Sequence, residues 1–127
     1  MEKILIVDDE KHMRLILSKI LSDEGYITFQ AEDGHKAMIE VKKNNPDLVL
    51  LDYKLPDLNG DRILKQIKDH DNSIIVIMLT AFGDIKKAVV SMKLGAYDYL
   101  TKPFNNDEIL LVISKALQTL NLKKEVT

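Results

Sequence analysis

The stretch that decides the fold is ILIVDD at residues 4–9, where four apolar residues end abruptly in two aspartates. The same arrangement recurs at residues 48–52, where LVLL is followed by Asp52. Continuous apolar runs of this length, partly β-branched, are typical of strands covered on both faces by helices, as in a parallel sheet. We therefore expect Ile4–Val7 and Leu48–Leu51 to be strands of such a sheet.

Working outward from these two runs, three more apolar runs lie along the chain, and a helical pattern follows each of the five. The helical patterns repeat apolar residues at the 3.6-residue spacing of a buried helix face. The predicted strands are Ile4–Val7, Tyr26–Phe29, Leu48–Leu51, Ile74–Leu79 and Tyr97–Leu100. The predicted apolar stripes are Met13, Ile16, Leu17, Ile20 and Leu21; Ala37, Met38 and Val41; Ile63, Leu64 and Ile67; Ile85, Ala88, Val89 and Met92; and Ile109, Val112, Ile113, Ala116, Leu117 and Leu120.

Residues that favour helix ends agree with this order. Asp33, Asp84 and Asn105 stand where helix N-caps are expected, and a glutamate three residues after Asn105 completes a capping-box pattern. Gly25 and Gly95 stand where the first and fourth helices should end.

Five repeated strand–helix units predict an α/β fold of the three-layer, doubly wound (βα)5 type. Right-handed crossovers would place helices on both faces of one five-stranded parallel sheet. The expected strand order is the flavodoxin-like 2-1-3-4-5. We expect residues 1–127 to form a single domain, with a core over residues 3–121 and a polar tail at residues 122–127.

Composition narrows the class of protein. The chain has 127 residues, close to one ordinary domain, of which 46% are hydrophobic. Its formal net charge of -2 argues against direct nucleic-acid binding by this chain. It contains no cysteine, which fits a reducing compartment, and its N-terminal apolar run is too short for a signal peptide or a membrane span. We therefore expect a cytoplasmic protein without membrane contact.

Polar residues follow the predicted strands at the edge where α/β sheets bind ligands, beyond the carboxyl ends of the strands. Asp8 and Asp9 follow the first strand, Asp52 the third, Thr80 the fourth and Lys102 the fifth. Three carboxylates in one place repel each other unless a proton or a cation neutralises them. Oxygen ligands without cysteine or histidine favour a hard ion such as Mg²⁺.

The same residue types suit phosphoryl transfer. Asp52 could act as a nucleophile and form an aspartyl phosphate. A cation and a hydroxyl donor, which Lys102 and Thr80 would supply, stabilise the phosphoryl oxygens. Each residue also has a simpler explanation: Asp8 and Asp9 could cap the first helix, Asp52 could be a turn residue, Thr80 could bond the backbone, and Lys102 could be a solvated charge. The combination at four strand ends favours the functional interpretation.

These residues also carry a resemblance to a known family. Five stretches of the chain resemble the motifs of response-regulator receiver domains of two-component systems. They are Val7–Glu10, Leu50–Asp52, Leu55–Gly60, Leu79–Ala81 and Lys102–Phe104. The resemblance extends from residue 3 to about residue 120, in the order and at the spacing of the family.

The resemblance implies a role for each acidic position. Asp52 would be the phosphoacceptor, receiving a phosphoryl group from a sensor histidine kinase. Asp9 would bind Mg²⁺ (or Mn²⁺) directly, Asp8 would hold a metal-bound water, and the backbone carbonyl of Lys54 would complete the protein ligands together with Asp52. Such a domain is not an enzyme beyond catalysing its own phosphorylation and autodephosphorylation.

The resemblance also implies a switch. Thr80 and Lys102 would each contact a phosphoryl oxygen, and a cis Lys102–Pro103 peptide would aim the lysine inward. Ala81 would leave an entrance for the phosphodonor. Tyr99 matches the aromatic residue that turns inward when Thr80 moves. Phosphorylation would then change protein contacts, including homodimerisation through the face formed by the fourth helix, fifth strand and fifth helix.

A finer similarity concerns the class of regulator. Ala81–Ala88 and Gly95–Phe104 resemble the nitrogen-regulatory enhancer-binding activators, which act in transcription regulation. Members of that class normally carry an ATPase domain and a DNA-binding domain downstream. Both an excised receiver and a stand-alone receiver that signals by protein contact remain open.

Three rival functions are less well supported by the residues. Aspartyl-phosphate phosphatases use a second aspartate two residues after the first, where this chain has Lys54. A nucleotide or flavin module needs a glycine-rich phosphate loop, which is missing after the first strand. A degenerate receiver used only for contacts is disfavoured by intact Asp52, Thr80 and Lys102.

Overall fold

The computed structural model describes the backbone of residues 1–126 and the side chains of residues 1–120. Five strands alternate with five helices, as the sequence predicts. The elements are β1 Lys3–Val7, α1 Lys11–Asp23, β2 Ile27–Ala31, α2 Gly34–Asn44, β3 Leu48–Asp52, α3 Gly60–His70, β4 Ile75–Ala81, α4 Ile85–Lys93, β5 Asp98–Lys102 and α5 Asn106–Val126.

The five strands form one parallel sheet in the order β2-β1-β3-β4-β5, which confirms the predicted topology. Successive side chains of a strand point to opposite faces. Leu5 and Val7 of β1 therefore pack with α2 and α3, whereas Ile4 and Ile6 pack with α1 and α5. Because β1 and β3 are covered on both faces, all of their apolar residues are fully buried. This explains why their sequences are continuous apolar runs rather than alternating ones.

Four strands, β2 to β5, end further along the chain than the apolar runs indicate. Thr80 and Ala81 belong to β4 and pair with Thr101 and Lys102 of β5, so the polar residues Thr80, Thr101 and Lys102 lie within the sheet and not beyond it. The edge strand β2 likewise ends at Ala31, because its last residues pair with the end of β1. Apolar runs mark the buried part of a strand, whereas backbone pairing sets its ends.

The three predicted N-cap positions are confirmed, and two of the three side chains make a capping hydrogen bond. The Asp33 carboxylate accepts a hydrogen bond from the backbone N–H three residues later, at 2.8 Å, and Asn105 does the same at 2.7 Å. Asp84 occupies the N-cap position of α4 but makes no side-chain capping bond. It lies 3.5 Å from the ammonium of Lys87 instead.

Helix ends follow the glycines, with one extension at the C-terminus. Gly25 and Gly95 have φ angles of +94° and +109° just after α1 and α4, the left-handed conformation that glycine adopts most easily. Helix α5 continues to Val126, through most of the segment predicted as a tail. No helix among the described residues is long and apolar enough to cross a membrane.

The predicted inner face of α4 is wrong. Ala88 is buried as expected, but Ile85, Val89 and Met92 are 62%, 46% and 39% exposed. The fully buried partner of Ala88 is Ser91, whose hydroxyl donates to the Asp61 carboxylate of α3 at 2.7 Å. A buried hydroxyl is tolerated when it has a hydrogen-bond partner. Ser91 can therefore occupy the inner face of α4, which the apolar pattern assigns to its neighbours. Ile16 of α1 is also partly exposed, at 41%.

Candidate functional site

The three candidate acidic residues converge at the carboxyl ends of two adjacent strands. Val7 of β1 pairs with Leu51 of β3, so Asp8 and Asp52, which follow them, lie at the same level of the sheet. Carboxylate oxygens of Asp8, Asp9 and Asp52 all lie within 4.8 Å of one another. Asp8 is fully buried, Asp52 is nearly so, and Asp9 faces solvent.

One ammonium group joins the two buried carboxylates. The Nζ atom of Lys102, the last residue of β5, donates to Asp8 Oδ2 at 3.0 Å and to Asp52 Oδ2 at 3.3 Å. The lysine side chain is about three quarters buried, since its exposed fraction is 25%. Its peptide bond to Pro103 is cis. Two of the three carboxylates therefore share a single ammonium, so the cluster carries more negative than positive charge when its carboxylates are ionised.

Burial and charge alter how the cluster holds protons. Burial raises the pKa of Asp52 above its ordinary value; the ammonium of Lys102 lowers it, and the carboxylate of Asp8 raises it further. The net effect is an upward shift. Burial alone would lower the pKa of Lys102, but its hydrogen bonds and ion pairs with Asp8 and Asp52 raise it overall. The positive charge of Lys102 is thus too small to balance the ionised carboxylates, and a bound cation would supply the rest.

The surroundings of the carboxylates suit a small divalent cation. The cluster opens into a cleft of about 440 Å³, lined in part by Asp9, Lys54, Ala81 and Lys102. The atoms available to bind a metal ion are carboxylate and backbone oxygens, the ligands that Mg²⁺ prefers. The backbone N–H of Lys54 donates to Asp52 Oδ1 at 3.3 Å, which ties the start of the following loop to the acidic cluster. The residues present therefore fit a bound Mg²⁺ ion.

The hydrogen bonds among the described residues do not join the candidate switch residues to the acidic cluster. Thr80 is buried, and its hydroxyl donates to the backbone carbonyl of Leu100 on β5, at the long distance of 3.4 Å. Tyr99 is half-buried and packs against the apolar cluster on the α2–α3 side of the sheet. Ala81 is exposed at the mouth of the cleft. The structure thus groups Asp8, Asp9, Asp52 and Lys102, and leaves Thr80 and Tyr99 in contact with other partners.

Sequence reasoning missed several residues around the cluster. The guanidinium of Arg14 donates to the backbone carbonyl of Asp8 at 2.7 Å, although Arg14 reads as an ordinary surface residue of α1. Tyr53 lies beside Asp52 at the cleft, with the ammonium of Lys87 placed 5.1 Å from its ring centre. The pKa of Tyr53 is raised by burial and by the charge and hydrogen bond of Asp61. None of these contacts has a local sequence signal, because each joins residues of different elements.

Comparison with known proteins identifies the family. The model of the response regulator receiver domain matches residues 4–114. Sporulation initiation phosphotransferase F of Bacillus subtilis is 47% identical over 116 residues, covering 91% of this chain and 94% of that protein. Regulatory protein AtoC of Escherichia coli is 38% identical and covers 98% of this chain.

A solved structure agrees with these matches. The crystal structure of NtrX from Brucella abortus superposes with a TM-score of 0.94 at 40% identity, over 98% of this chain and 28% of that one. This chain spans only about a quarter of the length of AtoC and of NtrX. The nitrogen-regulatory resemblance is consistent with both relatives. The chain belongs to the receiver-domain family of two-component response regulators.

Proposed function

We propose that this receiver domain accepts a phosphoryl group from a sensor histidine kinase on the carboxylate of Asp52. The observation that carries the proposal is the cluster of three carboxylates within 4.8 Å, beside the shared ammonium of Lys102. Among the three, Asp52 stands at the centre of the sheet edge and is nearly buried, yet it borders the open cleft. It is therefore shielded from bulk water while it can still meet a phosphodonor.

The proposed metal ligands are those that the family resemblance implies, and the grouping of the three carboxylates supports them. Asp9 and Asp52 would bind Mg²⁺ (or Mn²⁺) directly, Asp8 would bind through a water molecule, and the carbonyl of Lys54 would add a backbone ligand. The bound ion would neutralise the phosphoryl oxygens and the excess negative charge of the cluster. The raised pKa of Asp52 supports this proposal, because a nearby cation would restore the ionised form that attacks phosphorus.

The transfer step needs little from the protein beyond position and charge. One oxygen of Asp52 would attack the phosphorus of a phosphohistidine in line with the P–N bond. That bond breaks as the P–O bond forms, and the imidazole nitrogen keeps the electron pair and takes up a proton. Lys102 would then exchange one of its carboxylate contacts for a phosphoryl oxygen. No step requires this chain to act on another substrate, so it works as a signalling domain.

The switch would follow from the new charge. An added phosphoryl group brings about -1.5 to -2 charge and three strong acceptor oxygens. The hydroxyl of Thr80 gives up only a long 3.4 Å bond to Leu100 when it turns toward them. Its movement would leave space beside β5 for Tyr99 to turn inward, and α4 would shift with it.

The partner surface would lie on α4, β5 and α5. Apolar side chains of α4 are exposed there, as is Leu111 of α5. We propose that phosphorylation changes homodimerisation through this face. The net charge of -2 gives no support for direct binding to nucleic acid. We further propose that residues 1–127 act as one domain in the cytoplasm, which fits the lack of cysteine.

Intact mass after incubation with acetyl phosphate tests the proposal. We expect one phosphoryl group on the wild-type chain in the presence of Mg²⁺ and none after chelation. The Asp52→Asn variant should stay unmodified although folded, whereas Asp69→Asn, which changes an exposed carboxylate of α3, should be modified like the wild type. A folded Asp52→Asn variant that gains the group at the normal rate would contradict the assignment.

A further inference from the structure

The loop between β3 and α3 is fastened to the start of α2 by one carboxylate. Asp57 Oδ1 accepts hydrogen bonds from the backbone N–H groups of Gly34 and Leu58, and Oδ2 accepts one from His35, each at 2.9 Å. Gly34 and His35 are the first two residues of α2, whose N–H groups have no partner within the helix. Asp57 therefore satisfies helix donors from a loop that lies 22 and 23 residues further along the chain.

The fit between loop and helix is close and electrostatically favourable. A side chain at Gly34 would place its Cβ atom 2.5 Å from Ile63 Cδ1 and 3.3 Å from Asp57 Oδ1, so glycine allows this approach without displacing either side chain. Negative charge at a helix N-terminus is stabilised by the helix dipole. The hydrogen bonds from the backbone, that of Gly34 first, hold the pKa of Asp57 below its ordinary value, so the carboxylate is ionised at neutral pH.

The same loop is closed on the side of the acidic cluster. The backbone of Lys54 forms an isolated antiparallel bridge with Asn59, two residues after Asp57. Gly60 donates to the carbonyl of Tyr53 at 2.6 Å, and Leu55 is buried in the core. The loop is thus closed by backbone contacts near Lys54, and close to its other end Asp57 adds hydrogen bonds to α2. A shift of Asp57 would be transmitted through Asn59 to the backbone of Lys54.

We propose that Asp57 is a positioning residue that holds the Lys54 backbone in place for the metal ion, and so sets the affinity for Mg²⁺. This inference rests on the proposed function, in which the carbonyl of Lys54 is a metal ligand. Asp57 itself stays outside the cluster and donates nothing to the ion.

Asp33 offers a matched control. Its carboxylate also accepts a hydrogen bond at the N-terminus of α2, from Lys36, but within the described part of the chain no hydrogen bond ties it to the loop. Asp33→Ala and Asp57→Ala therefore each remove one carboxylate from the same helix end. The Mg²⁺ dissociation constant of each folded variant would be measured by calorimetric titration of the unphosphorylated protein, beside its urea unfolding curve.

We expect Asp57→Ala to weaken Mg²⁺ binding by about tenfold, the lower end of the cost of losing an outer-shell partner. Asp33→Ala should leave the affinity unchanged although it also lowers stability. Asp57→Asn, which keeps one oxygen acceptor, should fall between Asp57→Ala and the wild type, and it serves if the alanine variant does not fold.

Two results would overturn the inference: wild-type Mg²⁺ affinity in a folded Asp57 variant, or equal weakening by Asp33→Ala and Asp57→Ala. Failure of the proposed function has a different signature, because the wild-type chain itself would then bind no Mg²⁺ and gain no phosphoryl group.

Discussion

Helices α4 and α5 both carry many apolar residues, but they use them in opposite ways. Helix α5 turns Ile109, Ile113 and Ala116 into the core, where they are fully buried. Helix α4 turns Ser91 inward and leaves Ile85 and Val89 largely exposed. Apolar burial stabilises α5 without regard to direction, whereas the inner face of α4 depends on a directional hydrogen bond to α3.

This difference indicates which helix can respond to chemistry at Asp52. The contacts of α4 lead back to the site: the Ser91 hydroxyl donates to the Asp61 carboxylate, the charge of Asp61 acts on Tyr53, and Tyr53 directly follows Asp52 in the chain. A helix held by a few polar contacts can change position at lower cost than one packed into a core. Its exposed apolar side is also available to a partner. We expect α4, rather than α5, to change position when Asp52 is phosphorylated.

The largest expected effect comes from truncating the core side of α5. Ile113→Ala should lower the free energy of unfolding by about 2–5 kcal/mol, because it leaves a cavity in the core. Val89→Ala on the exposed side of α4 should change it by less than about 0.5 kcal/mol. Urea unfolding of both variants measures the contrast. Similar losses of unfolding free energy at the two positions would contradict the contrast between a buried α5 face and an exposed α4 face.

A smaller effect is expected from the polar contact of α4. Ser91→Ala removes the donor to Asp61 and to the carbonyl of Lys87, and should cost about 1 kcal/mol of unfolding free energy. Ser114→Ala on the exposed side of α5 is the matched control and should be close to neutral. If Ser91→Ala is as neutral as the control, the hydrogen bond does not hold α4.

The smallest effect on the free energy of unfolding is expected from a substitution on the exposed side of α4 that weakens dimerisation. Ile85→Lys should alter the unfolding free energy by less than about 0.5 kcal/mol, because Ile85 is exposed. It should nevertheless reduce dimerisation of the phosphorylated protein, measured by sedimentation equilibrium with acetyl phosphate and Mg²⁺. Ile39→Lys, which changes an exposed isoleucine of α2, should leave dimerisation unchanged. Equal effects of the two lysines would argue against an α4 interface.

The same contrast explains what the sequence could predict. The buried strands follow from continuous apolar runs and α5 from a periodic apolar pattern, because nearly all of their buried positions are apolar. The grouping of Asp8, Asp9 and Asp52 follows as well, because parallel strands bring their carboxyl ends to one edge. The inner face of α4 could not be predicted, because Ser91 is buried only by virtue of Asp61, a contact between residues 30 positions apart.

Long-range contacts limited the prediction of the site in the same way. Lys102 could be assigned because its strand end is level with the others, but the tether from Asp57 to Gly34 and His35 depends on the path of a loop. The ends of β4 and β5 were placed too early, because Thr80 and Lys102 are polar residues inside paired strands. Backbone pairing, unlike side-chain burial, leaves little trace in the amino-acid pattern.

The most direct test of the central claim is to locate the phosphoryl group chemically. Borohydride reduces an aspartyl phosphate to homoserine, so the modified residue can be read by peptide mass sequencing after phosphorylation with acetyl phosphate and Mg²⁺. We predict homoserine at position 52 and unchanged aspartate at Asp8 and Asp9. Homoserine at either of those two positions, with Asp52 intact, would contradict the account.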